Sequence, residues 1–234
     1  MLKQADVYIG FDPSESVAAS VLQHSIRARS SIPVRVTLLM LDQLREIHKR
    51  ERHHLQSTEF SFTRFLTPYL NRYSSHSIYM DCDMLMLGDI ADLYKEAEQT
   101  YAPVSVVKHD YKPENTVKML GQKQTQYEKK NWSSLMVFWG KHYDCMHLTP
   151  EVVDEESGLH LHQFAWATDV GEIDGRWNHL VGYDERPLED IAMLHWTEGG
   201  PWWERYKNAE YADIWFEEKE RMEQSYERPK AVTA

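Results

Sequence analysis

Two carboxylates stand one residue apart where an apolar run in the middle of the chain is interrupted. Residues 78–80 are apolar or aromatic and lead into Asp81 and Asp83, and residues 84–87 are apolar again. Ionised acids in a segment that favours burial are unfavourable unless they are paired or bound to a metal. Carboxylate oxygens suit Mg²⁺ or Mn²⁺, and either cation can bridge a diphosphate. The spacing therefore predicts a divalent-cation site, with two solvated acids on a surface turn as the alternative.

A further candidate ligand lies near the C-terminal end of the chain. His195 follows the apolar residues 191–194 and is followed by Gly199 and Gly200. A core histidine at the end of a strand is the ordinary interpretation of such a residue taken alone. Glycines let backbone amides approach a phosphate closely, and an imidazole beside them can complete a mixed carboxylate and nitrogen site. We therefore expect His195 to join the two acids, although an ordinary turn before Pro201 explains the glycines equally well.

The composition indicates an acidic folded protein, because 42% of the 234 residues are apolar and the formal net charge is −11. Its field would repel phosphates, which argues against a general binder of nucleic acid or anionic membranes. The sequence has no apolar stretch with the length of a signal peptide or a membrane span, so we expect a cytoplasmic protein without a transmembrane segment. Cys82 and Cys145 lack metal-ligand spacing, and we expect both to be buried, reduced thiols.

Short runs rich in β-branched residues alternate with helical patterns along the chain, which predicts the α/β class and a largely parallel sheet. The predicted strands cover residues 6–10, 34–39, 77–80, 104–107, 135–139 and 191–195, and the predicted helices cover residues 14–29, 41–55, 62–73, 90–98 and 203–223. Asp89 is expected to cap the helix that follows it. Ligands of such sheets bind outside the carboxyl ends of the strands, so a strand that ends at Asp81 delivers this acid to the expected crevice.

Two segments of the chain are markedly polar. The predicted helix at residues 41–55 is rich in Arg, Lys and His, and it is either a solvated helix face or a basic lip over a phosphate site. Residues 109–130 are long for a connection without structure, and loops of that length tend to be functional or mobile.

Several segments resemble the retaining glycosyltransferases of family 8, which have a GT-A fold. Residues 58–70 look like the family's helix before the metal strand, and residues 79–83 followed by 87–90 match its Asp-x-Asp strand and Gly-Asp-Leu helix start. Residues 131–138 partly match an Asn-Ser-Gly-Val strand that lines the donor sugar. Residues 195–202 resemble the C-terminal motif that begins with a metal-binding histidine, but the family's lysine before Pro201 is missing.

The resemblance implies a Rossmann-like, mostly parallel sheet flanked by helices in one domain. We expect this GT-A domain to cover residues 1–202, with an amphipathic helix at 203–226 packed on it and a flexible tail at 227–234. It also implies transfer of a hexose, with retention, from a nucleotide-sugar donor such as a UDP-sugar to an acceptor hydroxyl on a carbohydrate or another molecule. Mn²⁺ or Mg²⁺ would be held by Asp81, Asp83 and His195.

The resemblance further assigns roles to individual residues. The expected donor-binding residues are Asp12, Arg64, Asp81, Ser134, Asn178, Gly199 and Gly200. Asp169 and Asn131 are the expected catalytic residues, and Asp169 would organise the donor sugar. From the residues alone, Asp12 is equally a turn cap and Arg64 a salt-bridge partner on a helix.

Two other functions stay open at this stage. Phosphohydrolases of the haloacid-dehalogenase type also place Asp-x-Asp after an apolar strand, but near the N-terminus and followed by Thr or Val rather than Met84. Their downstream lysine and second acidic pair are not found here. A catalytically silent nucleotide-sugar-binding module would share the fold and bind its ligand without turnover.

Overall fold

The computed structural model describes residues 4–51, 58–110 and 129–226. In these ranges the strands are β1 (Ala5–Gly10), β2 (Val34–Leu39), β3 (His76–Met80), β4 (Met84–Met86), β5 (Val104–Val106), β6 (Leu135–Trp139), β7 (Val170–Glu172), β8 (His179–Leu180) and β9 (Met193–His195). The α-helices are α1 (Ser16–Arg29), α2 (Thr67–Leu70), α3 (Ile90–Glu98), α4 (Tyr143–His147), α5 (Pro150–Glu155), α6 (Gly158–His162) and α7 (Ala212–Tyr226).

The larger of the two sheets has the strand order β2-β1-β3-β6-β5-β7. Strand β6 runs antiparallel to both of its neighbours, while β2, β1 and β3 are parallel to one another and β7 is parallel to β5. The prediction of an α/β protein with a mostly parallel sheet is confirmed. Because β6 is reversed, its first residues lie at the same edge as the last residues of β1 and β3.

A second sheet of three short strands, in the order β4-β9-β8, was not predicted from the sequence. Strand β4 pairs antiparallel with β9 and places Met84 opposite His195. Asp83 directly precedes this pair, and its carbonyl oxygen accepts a hydrogen bond from the Trp196 amide at 3.0 Å. This small sheet is therefore what brings the C-terminal histidine to the Asp-x-Asp segment.

The apolar core has two parts, one against each sheet. The main cluster fills the space around the larger sheet, where Ile9, Leu22 and Phe138 are fully buried. The second cluster joins the smaller sheet to α7 through Leu194 and Trp215. Burial of this apolar surface is the main force that holds both sheets in place.

The predicted helix at residues 41–55 is wrong in its described part. A short 3-10 turn covers Leu41–Leu44, and the chain to residue 51 is irregular, while residues 52–57 lie outside the described residues. The amides of Lys49 and Arg50 donate to the carboxylate of Asp154 at 2.7 and 3.3 Å instead of continuing a helix. A distant side chain has thus replaced the helical hydrogen bonds. The long segment at 109–130 also lies largely outside the described residues.

Two other predicted helices are shorter than expected. The one at 62–73 consists of a 3-10 turn and α2, and it ends where Arg72 and Tyr73 adopt positive φ angles of 55° and 49°. The one at 203–223 begins only at Ala212 as α7. Glu218 of α7 bonds to His24 and Arg29 of α1 at 2.7 and 2.8 Å, which fixes α7 against α1. The predicted tail at 227–234 lies outside the described residues.

Other local predictions are confirmed. Asp89 caps α3, because its side chain accepts a hydrogen bond from the Ala91 amide at 2.9 Å. Cys82 and Cys145 are buried free thiols. Among the helices that the structure describes, none combines the length and the apolar character that crossing a bilayer requires.

Candidate metal centre

Asp81, Asp83 and His195 meet at the carboxyl edge of β3. Each offers one ligand atom, and these atoms all lie within 4.8 Å of one another. His195 Nε2 is 3.3 Å from Asp83 Oδ1. Asp81 follows β3 of the large sheet, whereas Asp83 precedes β4 and His195 ends β9 of the small sheet. The centre therefore forms where the two sheets join.

Asp81 is held in place by two side chains. The Tyr79 hydroxyl donates to Asp81 Oδ1 at 2.6 Å, and Arg64 Nη2 lies 3.1 Å from the same oxygen. Burial raises the pKa of the Asp81 carboxyl; the Arg64 guanidinium opposes this shift and the charge of Asp83 adds to it. The acid is thus desolvated but electrostatically compensated.

Arg64 is buried, and its guanidinium N–H groups donate hydrogen bonds to backbone carbonyl oxygens. Its Nη1 donates to the Ser133 carbonyl oxygen at 2.7 Å, and its Nε donates to the Phe60 carbonyl oxygen at 3.2 Å. The salt-bridge alternative for this residue is therefore what the structure shows, although its partner is Asp81 of the metal cluster rather than a residue on its own helix. Contact between Arg64 and a donor phosphate stays a prediction.

The three ligand residues fit a hard divalent cation. Mg²⁺ binds oxygen ligands at about 2.0–2.1 Å in octahedral geometry, which places adjacent ligand atoms about 3 Å apart. The 3.3 Å separation between His195 Nε2 and Asp83 Oδ1 is close to that spacing. Two carboxylates and one imidazole also form a donor set that suits Mn²⁺.

Asn131, Ser134 and Asn178 converge behind the metal cluster. Asn131 adopts a left-handed conformation with φ 63°, and its carbonyl oxygen accepts hydrogen bonds from Ser134 Oγ at 2.5 Å and Asn178 Nδ2 at 3.3 Å. Asn178 Oδ1 lies 2.8 Å from His195 Nδ1. The three residues are buried, and Asn178 has no exposed surface. Asn178 therefore supports a metal ligand from behind, which corrects the prediction that it contacts the donor.

Asp12 acts as a turn cap at the end of β1. Its Oδ1 accepts hydrogen bonds from the Ser14 amide at 3.0 Å and the Ser14 hydroxyl at 2.6 Å. Its Oδ2 accepts one from the Glu59 amide at 3.2 Å. The carboxylate thus joins the β1 turn to the segment before α2, and contact with a nucleotide base stays a prediction.

The predicted role of Asp169 is corrected by the sheet topology. Strand β7 is parallel to β5, and Val104 pairs with Val170 at the first residue of each strand. Since β5 and β3 both run antiparallel to β6, the start of β7 lies at the edge opposite Asp81. Asp169 is exposed there, and its Oδ1 accepts a hydrogen bond from the Val170 amide. Asp169 therefore cannot organise a sugar at the metal centre.

Packing against aromatic rings accounts for the absence of side chains at Gly199 and Gly200. A Cβ on Gly199 would lie 2.6 Å from the Tyr206 ring, and a Cβ on Gly200 would lie 2.0 Å from the Trp202 ring. Gly199 has φ +131°, and its amide already donates to the Trp196 carbonyl oxygen at 3.0 Å. The turn alternative is supported, and contact between the two glycines and a donor phosphate stays a prediction.

Glu15 and His109 are two buried groups near the centre that the sequence did not single out. Burial and the charge of Asp83 raise the pKa of Glu15 to about 8. Burial lowers the pKa of His109 to about 4, against the opposing effect of Asp184. Glu15 is one residue before α1 and has the sequence signature of an ordinary helix-start acid, while His109 follows β5 in a polar stretch. Neither residue has a local signal that would reveal its burial.

Comparison with known proteins gives one relative with high identity. No protein-family model matches the chain. Protein CDI of Arabidopsis thaliana is 42% identical over 222 residues, which cover 92% of this chain and 85% of that protein.

Solved structures of glycosyltransferases share the fold. The glycosyltransferase GlyE of Streptococcus pneumoniae TIGR4 superposes with a TM-score of 0.64 at 14% identity, over 99% of this chain and 66% of that chain. The galactosyltransferase LgtC, solved with donor and acceptor sugar analogues, gives 0.59 at 12% identity over 96% and 98% of the two chains. The bifunctional glycosyltransferase WbbM gives 0.64 at 13% identity, with 96% of this chain and 52% of WbbM covered.

These likenesses show that the chain has the GT-A fold. The chain spans just under two thirds of GlyE and about half of WbbM. A GT-A fold also excludes the haloacid-dehalogenase fold that the phosphohydrolase alternative requires.

Proposed function

The chain belongs to the family of Protein CDI of Arabidopsis thaliana. From its GT-A fold and its candidate metal centre we propose that it is a glycosyltransferase. It moves a sugar from a nucleotide-diphosphate sugar to an acceptor hydroxyl and depends on a divalent cation. The observation that carries the proposal is the meeting of Asp81, Asp83 and His195 at the carboxyl edge of the sheet. Ligands of open α/β sheets bind at this edge.

Mn²⁺ or Mg²⁺ is the proposed cofactor, held by Asp81, Asp83 and His195. A bound cation would neutralise negative charge on the diphosphate leaving group. In a protein with a net charge of −11, such local neutralisation is needed before a diphosphate can approach two carboxylates.

The surrounding residues position this centre. Tyr79 and Arg64 hold the Asp81 carboxylate, and Asn178 holds the His195 ring. Because these supports are buried and hydrogen bonded, the ligand residues are organised before any donor arrives. The family 8 resemblance supports a UDP-sugar donor and retention of configuration as parts of the same proposal. It also supports a catalytic domain at residues 1–202 with the following helix packed on it.

A panel of nucleotide sugars, tested with and without Mn²⁺, examines the proposal. A ligand at 100 times its Kd stabilises the native state by about 2.7 kcal/mol, so thermal shifts identify the donor. We expect a shift with one class of nucleoside diphosphate and its sugars, and a slow Mn²⁺-dependent release of nucleoside diphosphate with water as a poor acceptor. The variant Asp42→Asn, at an exposed site, should behave like the wild type. Asp83→Asn should lose the Mn²⁺-dependent part of the thermal shift and the Mn²⁺-dependent release of nucleoside diphosphate.

The outcomes separate the remaining functions. No shift with any nucleotide would refute the proposal. A Mn²⁺-dependent shift without turnover, with water or with a panel of sugar acceptors, would instead identify a nucleotide-sugar-binding module.

A further inference from the structure

The hydrogen bonds around Asn131, Ser134 and Asn178 determine which atoms carry protons. Ser134 Oγ lies 2.5 Å from the Asn131 carbonyl oxygen, which can only accept a hydrogen bond. The single hydroxyl proton of Ser134 must therefore point to Asn131. The Ser134 oxygen is left with lone pairs alone, so any further partner of this oxygen has to be a donor.

That constraint fixes the orientation of the Asn178 side-chain amide. One end of the amide lies 3.0 Å from Ser134 Oγ and 3.3 Å from the Asn131 carbonyl oxygen. Both neighbours act as acceptors, so this end must be the NH₂ group. The amide oxygen then faces His195 Nδ1 at 2.8 Å. This assignment follows from the hydrogen-bonding chemistry of the partners.

The amide oxygen in turn determines the proton on the imidazole. An oxygen acceptor at 2.8 Å requires a proton on His195 Nδ1. In the neutral ring, Nε2 then carries a lone pair, and it faces Asp83 Oδ1 at 3.3 Å. We propose that Ser134 and Asn178 are positioning residues that keep His195 in the Nδ1–H form, so that its Nε2 lone pair points to the cation. This inference rests on the proposed metal-dependent function.

The arrangement explains why polar residues occupy this buried place. Asn178 has no exposed surface and Ser134 is 3% exposed, so solvent does not satisfy their polar groups. Without the Asn178 acceptor, the ring could turn or place its proton on Nε2, where N–H would face the cation. Groups that orient a metal-ligating histidine typically change metal affinity by 10–100-fold when they are removed.

The tautomer itself can be measured in the metal-free protein. Long-range ¹H–¹⁵N correlation spectra of ¹⁵N-labelled protein at about pH 8, where an ordinary histidine is neutral, distinguish a protonated Nδ1 from a protonated Nε2. A His195→Gln variant identifies the signals of His195 among the other histidines. We expect a protonated Nδ1 before and after saturation with Mg²⁺. A bare Nδ1 with a proton on Nε2 would overturn the proposal.

Metal affinity tests the positioning role of Asn178 independently of turnover. Asn178→Leu should weaken Mn²⁺ binding, measured by electron paramagnetic resonance, by about 10–100-fold. Asn178→Asp keeps an oxygen acceptor for Nδ1–H but loses the NH₂ group, so it should retain more Mn²⁺ affinity than Asn178→Leu. Asn71→Leu, which removes a buried asparagine that bonds to Tyr8 rather than to His195, is the control for a loss of stability alone.

Each result has one meaning. Equal loss of Mn²⁺ affinity in Asn178→Leu and Asn178→Asp, with both variants folded by circular dichroism, would reduce Asn178 to a structural role and overturn the proposal. Failure of the proposed function is distinguishable, because a chain that binds no nucleotide can still show the Nδ1–H tautomer and the affinity pattern for Mn²⁺.

Discussion

Arg64 lies 3.1 Å from Asp81, so an acid proposed to bind a cation already has a buried positive partner. Both side chains are largely shielded from solvent, and the guanidinium also bonds to the Ser133 carbonyl oxygen. The guanidinium thus opposes the rise that burial causes in the pKa of the Asp81 carboxyl. The pairing also means that Asp81→Ala would strand a buried guanidinium, so a loss of stability must be separated from a loss of metal binding.

Arg64→Met should destabilise the metal-free protein and increase its stabilisation by Mn²⁺. Breaking a buried ion pair by removing one partner typically costs about 3–5 kcal/mol, because the remaining charge is uncompensated. A bound cation would replace the lost positive charge next to Asp81. Melting curves with and without Mn²⁺ measure both effects. The exposed Arg45→Met variant is the control, and a Mn²⁺ shift no larger than that of the wild type would contradict this prediction.

Asp83→Asn should lower Mn²⁺ affinity at least tenfold, or about 1.4 kcal/mol, and leave the fold intact. Its carboxylate faces His195 Nε2 at 3.3 Å, and an amide is a much weaker ligand for a hard cation. The Mn²⁺ titration is followed by electron paramagnetic resonance, beside a melting curve. Wild-type affinity in this variant would remove Asp83 from the metal centre.

Gly200→Ala should reduce stability by about 1–3 kcal/mol, the usual range for overpacking, without changing nucleoside diphosphate affinity. The added Cβ would lie 2.0 Å from the Trp202 ring. Trp202→Ala removes the obstacle, so the double variant should be less destabilised than the sum of the single ones. Chemical denaturation and isothermal titration with nucleoside diphosphate give the two quantities. A tenfold weaker diphosphate affinity in a stable variant would instead support contact between the glycines and a donor phosphate.

Glu15→Gln should stabilise the protein at pH 8 and above but not near pH 4.5. Burial and the charge of Asp83 raise the pKa of Glu15 from 4.5 to about 8. The folded state then holds a proton that the unfolded state releases, so stability falls as pH rises from 4.5 to 8. The neutral amide removes this loss, which is on the order of a few kcal/mol.

Melting curves between these two pH values measure the effect of Glu15→Gln. The exposed Glu155→Gln variant should show no such pH dependence. A stabilisation that is the same at both ends of the range would mean that the Glu15 carboxyl does not titrate as described.

The sequence predicted the parts of the fold that follow local hydrophobic patterns. Strand β6 and helix α3 have the predicted bounds. Strand β6 is a short, continuous apolar run, and the apolar residues of α3 repeat with the helix period. Strand β4 was missed because Met84–Met86 is too short to show alternation, and its partner lies far along the chain. Its pairing depends on tertiary contacts that no local pattern records.

The candidate site was predictable only in part for the same reason. The two acids and His195 were proposed together, and the structure brings them together. Asp169 was assigned its role from the family resemblance, which does not reveal at which end of β7 a residue lies. The glycines were ambiguous because the aromatic rings of Tyr206 and Trp202 that require them come from later in the chain.

The pairing of β4 with β9 also determines when the proposed cation site can be completed. Asp83 is synthesised long before His195, and the two residues meet only when β9 docks beside β4. Contacts with such large sequence separation form late, because loop closure precedes any gain from the contact. A chain emerging from the ribosome would therefore expose two acids without their histidine, and full cation affinity would mark the completed C-terminal part of the fold.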